Sequence, residues 1–191
     1  MAEDNEFFTV PLAARLMSRP VGFGDVESFH DFVGDLFATD EWDTDPALLL
    51  LFSDQPKQGL VMAAVFTVED AKPYTVTTHL ARAMVSSARE DHLFAKRIVA
   101  ASFYSEAWAY TVDKSVATEE EIQQDWERYR KVAARSESKV ISTIEVDGDR
   151  EFHSFLHRGV DTAFQDSPQP LEGGGMQIAL AELRTTLRAM Q

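Results

Sequence analysis

The stretch Arg97–Trp108, RIVAASFYSEAW, constrains this chain more than any other. It has the length and apolar character of a central strand, yet it carries one carboxylate, Glu106, set between aromatics. A charge in such a strand costs several kcal/mol unless it is paired or protonated. The fold must therefore answer Glu106. Strand alternation places Tyr104, Glu106, Trp108 and Tyr110 on one side and Phe103, Ser105, Ala107 and Ala109 on the other. The tyrosines and Trp108 each bring a hydrogen-bond donor to the side that Glu106 occupies.

The rest of the chain supplies the frame. It has 191 residues, enough for one domain with its own core, and its hydrophobic fraction of 45% is ordinary for a globular protein. Asp25 is an expected N-cap for a helix over 26–38, with Val26, Phe29, Phe32, Val33, Leu36 and Phe37 at helical spacing. An acidic loop, ATDEWDTDP, leads to the strand Ala47–Ser53. A turn over Asp54–Gly59 then gives a second strand, Gly59–Val68. A helix follows Pro73, with Leu80, Met84 and Val85 inward. The central strand runs over Ile98–Val112.

Thr118 and Glu121 have the capping-box spacing and open a charged helix carrying Ile122, Trp126, Tyr129 and Val132 along one side. Asp147-Gly148 is a hairpin turn between Lys139–Val146 and Arg150–Arg158. Residues 161–175, with two prolines and three consecutive glycines, read as a flexible loop. Met176–Met190 is amphipathic, with Ile178, Leu183 and Leu187 inward. This order predicts one α+β domain over residues 1–191, with residues 1–24 as an N-terminal arm. Its sheet is expected to be single, antiparallel or mixed, with about five strands and helices packed on it.

Charge and composition exclude several functions. The net charge is −14, and residues 1–70 carry 14 acidic side chains against Arg15, Arg19 and Lys57. That imbalance argues against direct nucleic-acid binding, which needs basic side chains on phosphates. It suits solubility, or a negative face for a basic protein partner, with Asp40, Glu41, Asp43 and Asp45 as the candidate contact residues. The chain has no cysteine, which rules out disulfides, thiolate catalysis and cysteine-ligated metal centres. No apolar run is long enough to span a membrane, and the acidic start, MAEDNEFF, is unlike a signal peptide. The expectation is a cytoplasmic protein without a cofactor. Arg outnumbers Lys, and Ala, Asp and Val are plentiful, which fits a GC-rich bacterial or phage genome.

Candidate chemistry centres on Glu106. It either pairs with an Arg or Tyr and locks strand register, or sits with raised pKa in a ligand pocket formed with Tyr104 and Trp108. His153 could complete an acid–base dyad with Glu106 if the hairpin neighbours the central strand. His153 and His157 do not make a metal pair: four residues along a strand separate them by about 13 Å. His30, His79 and His92 read as isolated surface or cap residues. The glycines at 173–175 lack the preceding strand of a nucleotide-binding fingerprint. Ser86-Ser87 lacks a nucleophile-elbow context.

SFYSEAWAY, followed by a helix and RSESKVISTIEVDGDREFHSFLHR, resembles a loose group of uncharacterised bacterial and phage proteins. Their shared pattern is an apolar strand ending in F-x-S-E-A-W, a variable loop, an Arg-led strand, an acidic-glycine turn and a closing strand with Arg. Here those positions are Phe103, Ser105, Glu106, Ala107, Trp108, Arg135, Gly148 and Arg158, within residues 97–158. The chain departs from the group in the loop, where a charged helix replaces a Pro-rich stretch. The resemblance implies no activity. The leading expectation is a non-enzymatic protein, encoded by a phage or mobile element, that acts through protein contacts. A small enzyme or ligand-binding protein, and an oligomeric scaffold or virion component, are the alternatives.

Overall fold

The computed structural model describes residues 13–21, 25–39, 41–55, 58–65, 73–90, 97–111, 115–129, 131–167 and 175–191. The described strands are β1 (Ala13–Val21), β2 (Ala47–Gln55), β3 (Gln58–Val65), β4 (Arg97–Thr111), β5 (Ala134–Glu145), β6 (Glu151–His157) and the two-residue β7 (Gln165–Asp166). They form one sheet in the order β1-β3-β2-β4-β5-β6-β7. Every neighbouring pair is antiparallel. The helices are α1 (Val26–Phe37), α2 (Pro73–Glu90), α3 (Glu119–Gln124), α4 (Trp126–Tyr129) and α5 (Gly175–Ala189).

The α+β class and single sheet are as expected, with more strands than about five. One added strand is β1, drawn from the segment read as an N-terminal arm, of which residues 1–12 lie outside the described residues.

Connectivity decides the layering. β1 runs parallel to β2 with β3 between them, and β3 runs parallel to β4 with β2 between them. Both crossovers step the same way across the sheet, but they start from strands of opposite direction. Right-handed crossovers must then fall on opposite faces, and they do. On one face Phe29 and Val33 of α1 pack over Leu49, Leu51, Ala100, Tyr104 and Ile141. On the other, Leu80 and Met84 of α2 and Leu183 and Leu187 of α5 pack over Leu48, Leu50, Phe52, Phe103 and Ile144. A sheet covered on both faces explains why ALLLLF is apolar without alternation.

α5 is held by more than its apolar stripe. Arg184 donates to Glu145 O and Arg150 O and pairs with Glu151, while Arg188 donates to Val146 O and Gly148 O at the hairpin turn. Its buried stripe is Ala179, Leu180, Leu183 and Leu187; Ile178, expected inward, is exposed. The stripe starts one residue later because the i, i+3/i+4 rows of Leu180, Leu183 and Leu187 set the inward face.

The helix expected from Thr118 through Val132 is broken. The capping box forms, but Asp125 ends α3 and its carboxylate accepts from Arg128 N, which starts the short α4. Val132 is exposed rather than on a packed side. Within the segment read as a loop, residues 161–167 hold β7, where Ser154 Oγ donates to Asp166 and Ser167 N to His153 O.

α1 begins as expected: Asp25 accepts from Ser28 N at 2.9 Å. Asp25→Ala is expected to cost about 1 kcal/mol. Thermal melting should show a drop of about 2–4 °C.

His30 is not a surface residue. It is buried under α1, with Nδ1 2.7 Å from Thr143 Oγ1 and Nε2 2.6 Å from Ser154 Oγ. Two hydroxyls from β5 and β6 meet it there, so a polar ring can occupy the helix–sheet layer. Burial pushes the pKa of His30 down, against the attraction of Asp166 and Asp31, with His153 adding to the decrease. Burial likewise lowers His153, against the pull of Glu151.

Both rings are therefore easier to protonate in the unfolded chain, whose His pKa is about 6.5. Their full contribution to stability is present above that value and is lost as pH falls through it toward the folded pKa. The melting temperature is expected to be lower at pH 5.5 than at pH 7.5. A flat profile across that window would contradict the buried neutral imidazoles.

Candidate functional site

Register builds a polar site where β4 and β5 run past the end of α1. β5 pairs Lys139 directly with Glu106 and Glu137 with Trp108, so these four side chains share the α1 face. The loop from α1 to β2 closes over them.

Lys139 is buried, and its ammonium donates to Phe37 O (3.1 Å), Thr39 O (2.9 Å) and Glu41 O (2.6 Å). α1 has no basic residue in its last turn. Lys139 supplies that cation from the sheet and satisfies a terminal helix carbonyl.

Glu106 binds the next part of the same loop. Its Oε2 accepts from Asp43 N (2.9 Å). Its Oε1 accepts from Thr44 N (3.2 Å), Thr44 Oγ1 (2.8 Å) and Tyr104 O–H (3.0 Å). Burial alone would raise its pKa; the hydrogen bonds from Thr44, Asp43 and Tyr104 outweigh that and hold it below the ordinary carboxylate value. The positive φ of Asp43, 65°, turns the chain so that both amides face the carboxylate. Tyr104 is fully buried, stacked on Phe37 at 3.9 Å between ring centroids, and burial pushes its phenol pKa up.

The outcome is a clamp. One strand contributes a cation for the loop's carbonyls, and its neighbour contributes an anion for the loop's amides. Glu41, Asp43 and Asp45 are left exposed on a loop with a fixed course. Asp40, the fourth acidic residue expected there, lies outside the described residues.

Cationic and aromatic side chains rim the clamp. Trp42 has Lys139 Nζ and the Arg158 guanidinium each 5.1 Å from its ring centroid. Arg158 pairs with Glu137 at 2.5 Å, and that bond, with Asp43 and Glu106 nearby, raises its pKa further. Trp108 is 50% exposed, with the Arg135 guanidinium 3.5 Å from its ring centroid. Oxygens of Asp43, Glu106 and Glu137 lie within 4.8 Å of one another. They are a described group of carboxylates that could hold a cation, and one of them, Glu137, is already paired with Arg158.

Tyr104, Glu106 and Trp108 share a face, as strand alternation requires; the partners of Glu106 are the loop residues Asp43 and Thr44 and Tyr104 of its own strand, not a side chain of a neighbouring strand. His153 does not join them. It pairs with Ser142, which pairs with Phe103, so it faces α5 on the opposite side of the sheet. The Glu106–His153 dyad cannot form in this register. On its own face His153 Nδ1 lies 3.0 Å from Ser142 Oγ and Nε2 lies 3.5 Å from Glu151.

Sequence reasoning missed Lys139, Thr44, Trp42 and Glu137 as members of the site, and it named Arg158 only as a position of the shared pattern. The signal for Lys139 was a lone Lys opening the apolar run VISTI, and it needs the β4–β5 register to be read.

No family model, curated protein or solved structure matches the chain.

Proposed function

We propose that this chain is a non-enzymatic protein that acts by contact with a basic protein partner, through the acidic loop at the end of β4 and β5. The observation that carries the reading is the clamp: Lys139 and Glu106 hold the loop by three carbonyls and two amides. A loop held in place loses little entropy when a partner binds its carboxylates. Complementary charge then speeds and orients the encounter. Trp108, half exposed beside the loop, is the kind of aromatic that anchors such contacts.

The same geometry disfavours the pocket reading. Glu106 spends both oxygens on four inward donors and is held ionised, so it is poorly placed as an acid or base.

The test is affinity capture from a GC-rich bacterial lysate, at low and moderate salt, with the wild type and a Glu41→Gln/Asp43→Asn/Asp45→Asn variant. One basic partner is expected, retained at low salt and weakened both by salt and by the triple substitution. Capture indifferent to both would refute an electrostatic contact at this loop.

A further inference from the structure

Three sheet edges differ in how they are guarded. The outer edge of β6 is covered by β7 and by the Asp161 carboxylate, which accepts from His157 N. β1, at one end of the sheet, has Pro20 in its sequence. Among the described residues, the edge of β4 beyond Tyr104 has neither protection. β2 pairs with β4 only as far as Ala47 and Tyr104, while β5 stays paired with β4 out to Thr111.

Which groups lie bare follows from the ladder. Val146 N donates to Val99 O, and these residues are opposite each other in the β4–β5 register. Odd-numbered residues of β4 therefore bond to β5, and even-numbered ones point their N–H and C=O away from it. Glu106, Trp108 and Tyr110 present those groups along the open edge, with no backbone partner among the described residues. The stretch EAWAY holds no Pro and no Lys, the residues that usually blunt such an edge.

The clamp draws the described part of the α1–β2 loop away from this edge. Asp43 and Thr44 are drawn over the α1 face onto the Glu106 carboxylate, and the chain rejoins the sheet only at Ala47. The surroundings are chemically two-sided. On the α1 face stand Glu41, Asp43 and Asp45 with the half-exposed Trp108; on the other stand the small Ser105 and Ala107.

We propose that the β4 edge over Glu106–Tyr110 takes up an extended, basic peptide strand from the partner, by adding it to the sheet. This deepens, and rests on, the acidic-contact reading above. Backbone bonds to residues 106, 108 and 110 hold the strand. Its alternate side chains on the α1 face are Lys or Arg, set against the loop carboxylates. Those on the other face pack over Ser105 and Ala107. A second copy of this chain is a poor occupant, because it would bring the same carboxylates face to face on a molecule of net charge −14.

The experiment titrates the full chain with a nine-residue peptide alternating Lys with Val and Thr. The controls are the same peptide with Glu in place of Lys, and the Lys peptide N-methylated at alternate backbone positions. Binding is read by hydrogen exchange at the amides of residues 106, 108 and 110. The expected result is at least tenfold protection of those amides by the Lys peptide alone. Tyr110→Pro removes one outward N–H without touching the β5 ladder and is expected to weaken binding at least tenfold.

Binding of the Lys peptide that survives both Tyr110→Pro and N-methylation would overturn strand addition while leaving the acidic contact in place. Should Tyr110→Pro fail to fold, the N-methylated peptide decides alone. No binding of the Lys peptide would overturn this proposal, whereas the contact reading falls only if the loop triple variant captures partners as the wild type does.

Discussion

Lys139→Met is expected to lower stability by about 3 kcal/mol, although the replacement is apolar and close in length. The side chain is buried, and its three donors serve Phe37 O, Thr39 O and Glu41 O. Removing one member of a buried charged network strands the groups it satisfied, and that desolvation is the dominant loss. α1 also loses the cation at its C-terminus, where its own sequence offers none. Thermal melting should fall by about 6–12 °C.

Lys139→Arg is expected to destabilise as well. A planar fork cannot replace a compact ammonium with three diverging donors. Because those carbonyls fix the acidic loop, a basic partner should also bind the Met variant more weakly than the wild type at equal salt. Near-wild-type melting of Lys139→Met would mean that water, not Lys139, satisfies the carbonyls.

The unequal legibility of this chain has a physical basis. Local rules read well: Asp25 as N-cap, Thr118 with Glu121 as a capping box and Asp147-Gly148 as a hairpin turn are set by residues within a few positions. Strand alternation also put Tyr104, Glu106 and Trp108 on one face. What stayed hidden depends on pairing between distant segments. The partners of Glu106 are the amides of Asp43 and Thr44, more than 60 positions away, and backbone groups have no sequence signature. The partner of His30 is a pair of hydroxyls on β5 and β6. His153 fell on the wrong face for a dyad because a one-residue difference in register inverts a side chain's direction.

Glu106 itself gives the second large effect. Glu106→Ala is expected to cost about 2–3 kcal/mol, because four donors from Asp43, Thr44 and Tyr104 lose their acceptor together. Glu106→Gln should cost about 1–2 kcal/mol, since its one carbonyl oxygen can keep the donors now on Oε1 while its amide opposes Asp43 N–H. The pH dependence separates this from simple packing. Hydrogen bonding holds the folded pKa of Glu106 below its unfolded value. Its contribution is therefore present above a pH of about 4.3 and is lost as pH falls through the folded pKa.

The gap in melting temperature between wild type and Glu106→Gln should accordingly close as the pH is taken from 7 toward 3. A gap that persisted at pH 3 would show that the ionised carboxylate is not what holds the loop. If Glu106→Gln instead melted like the wild type at every pH, the clamp would contribute nothing, and the reason for a carboxylate in this strand would have to be sought in a ligand. A closing gap, together with the collapse of Lys139→Met, would assign the Glu106–Lys139 pair to the same task. The pair spends a buried cation and a half-buried anion to hold one acidic loop beside an open sheet edge.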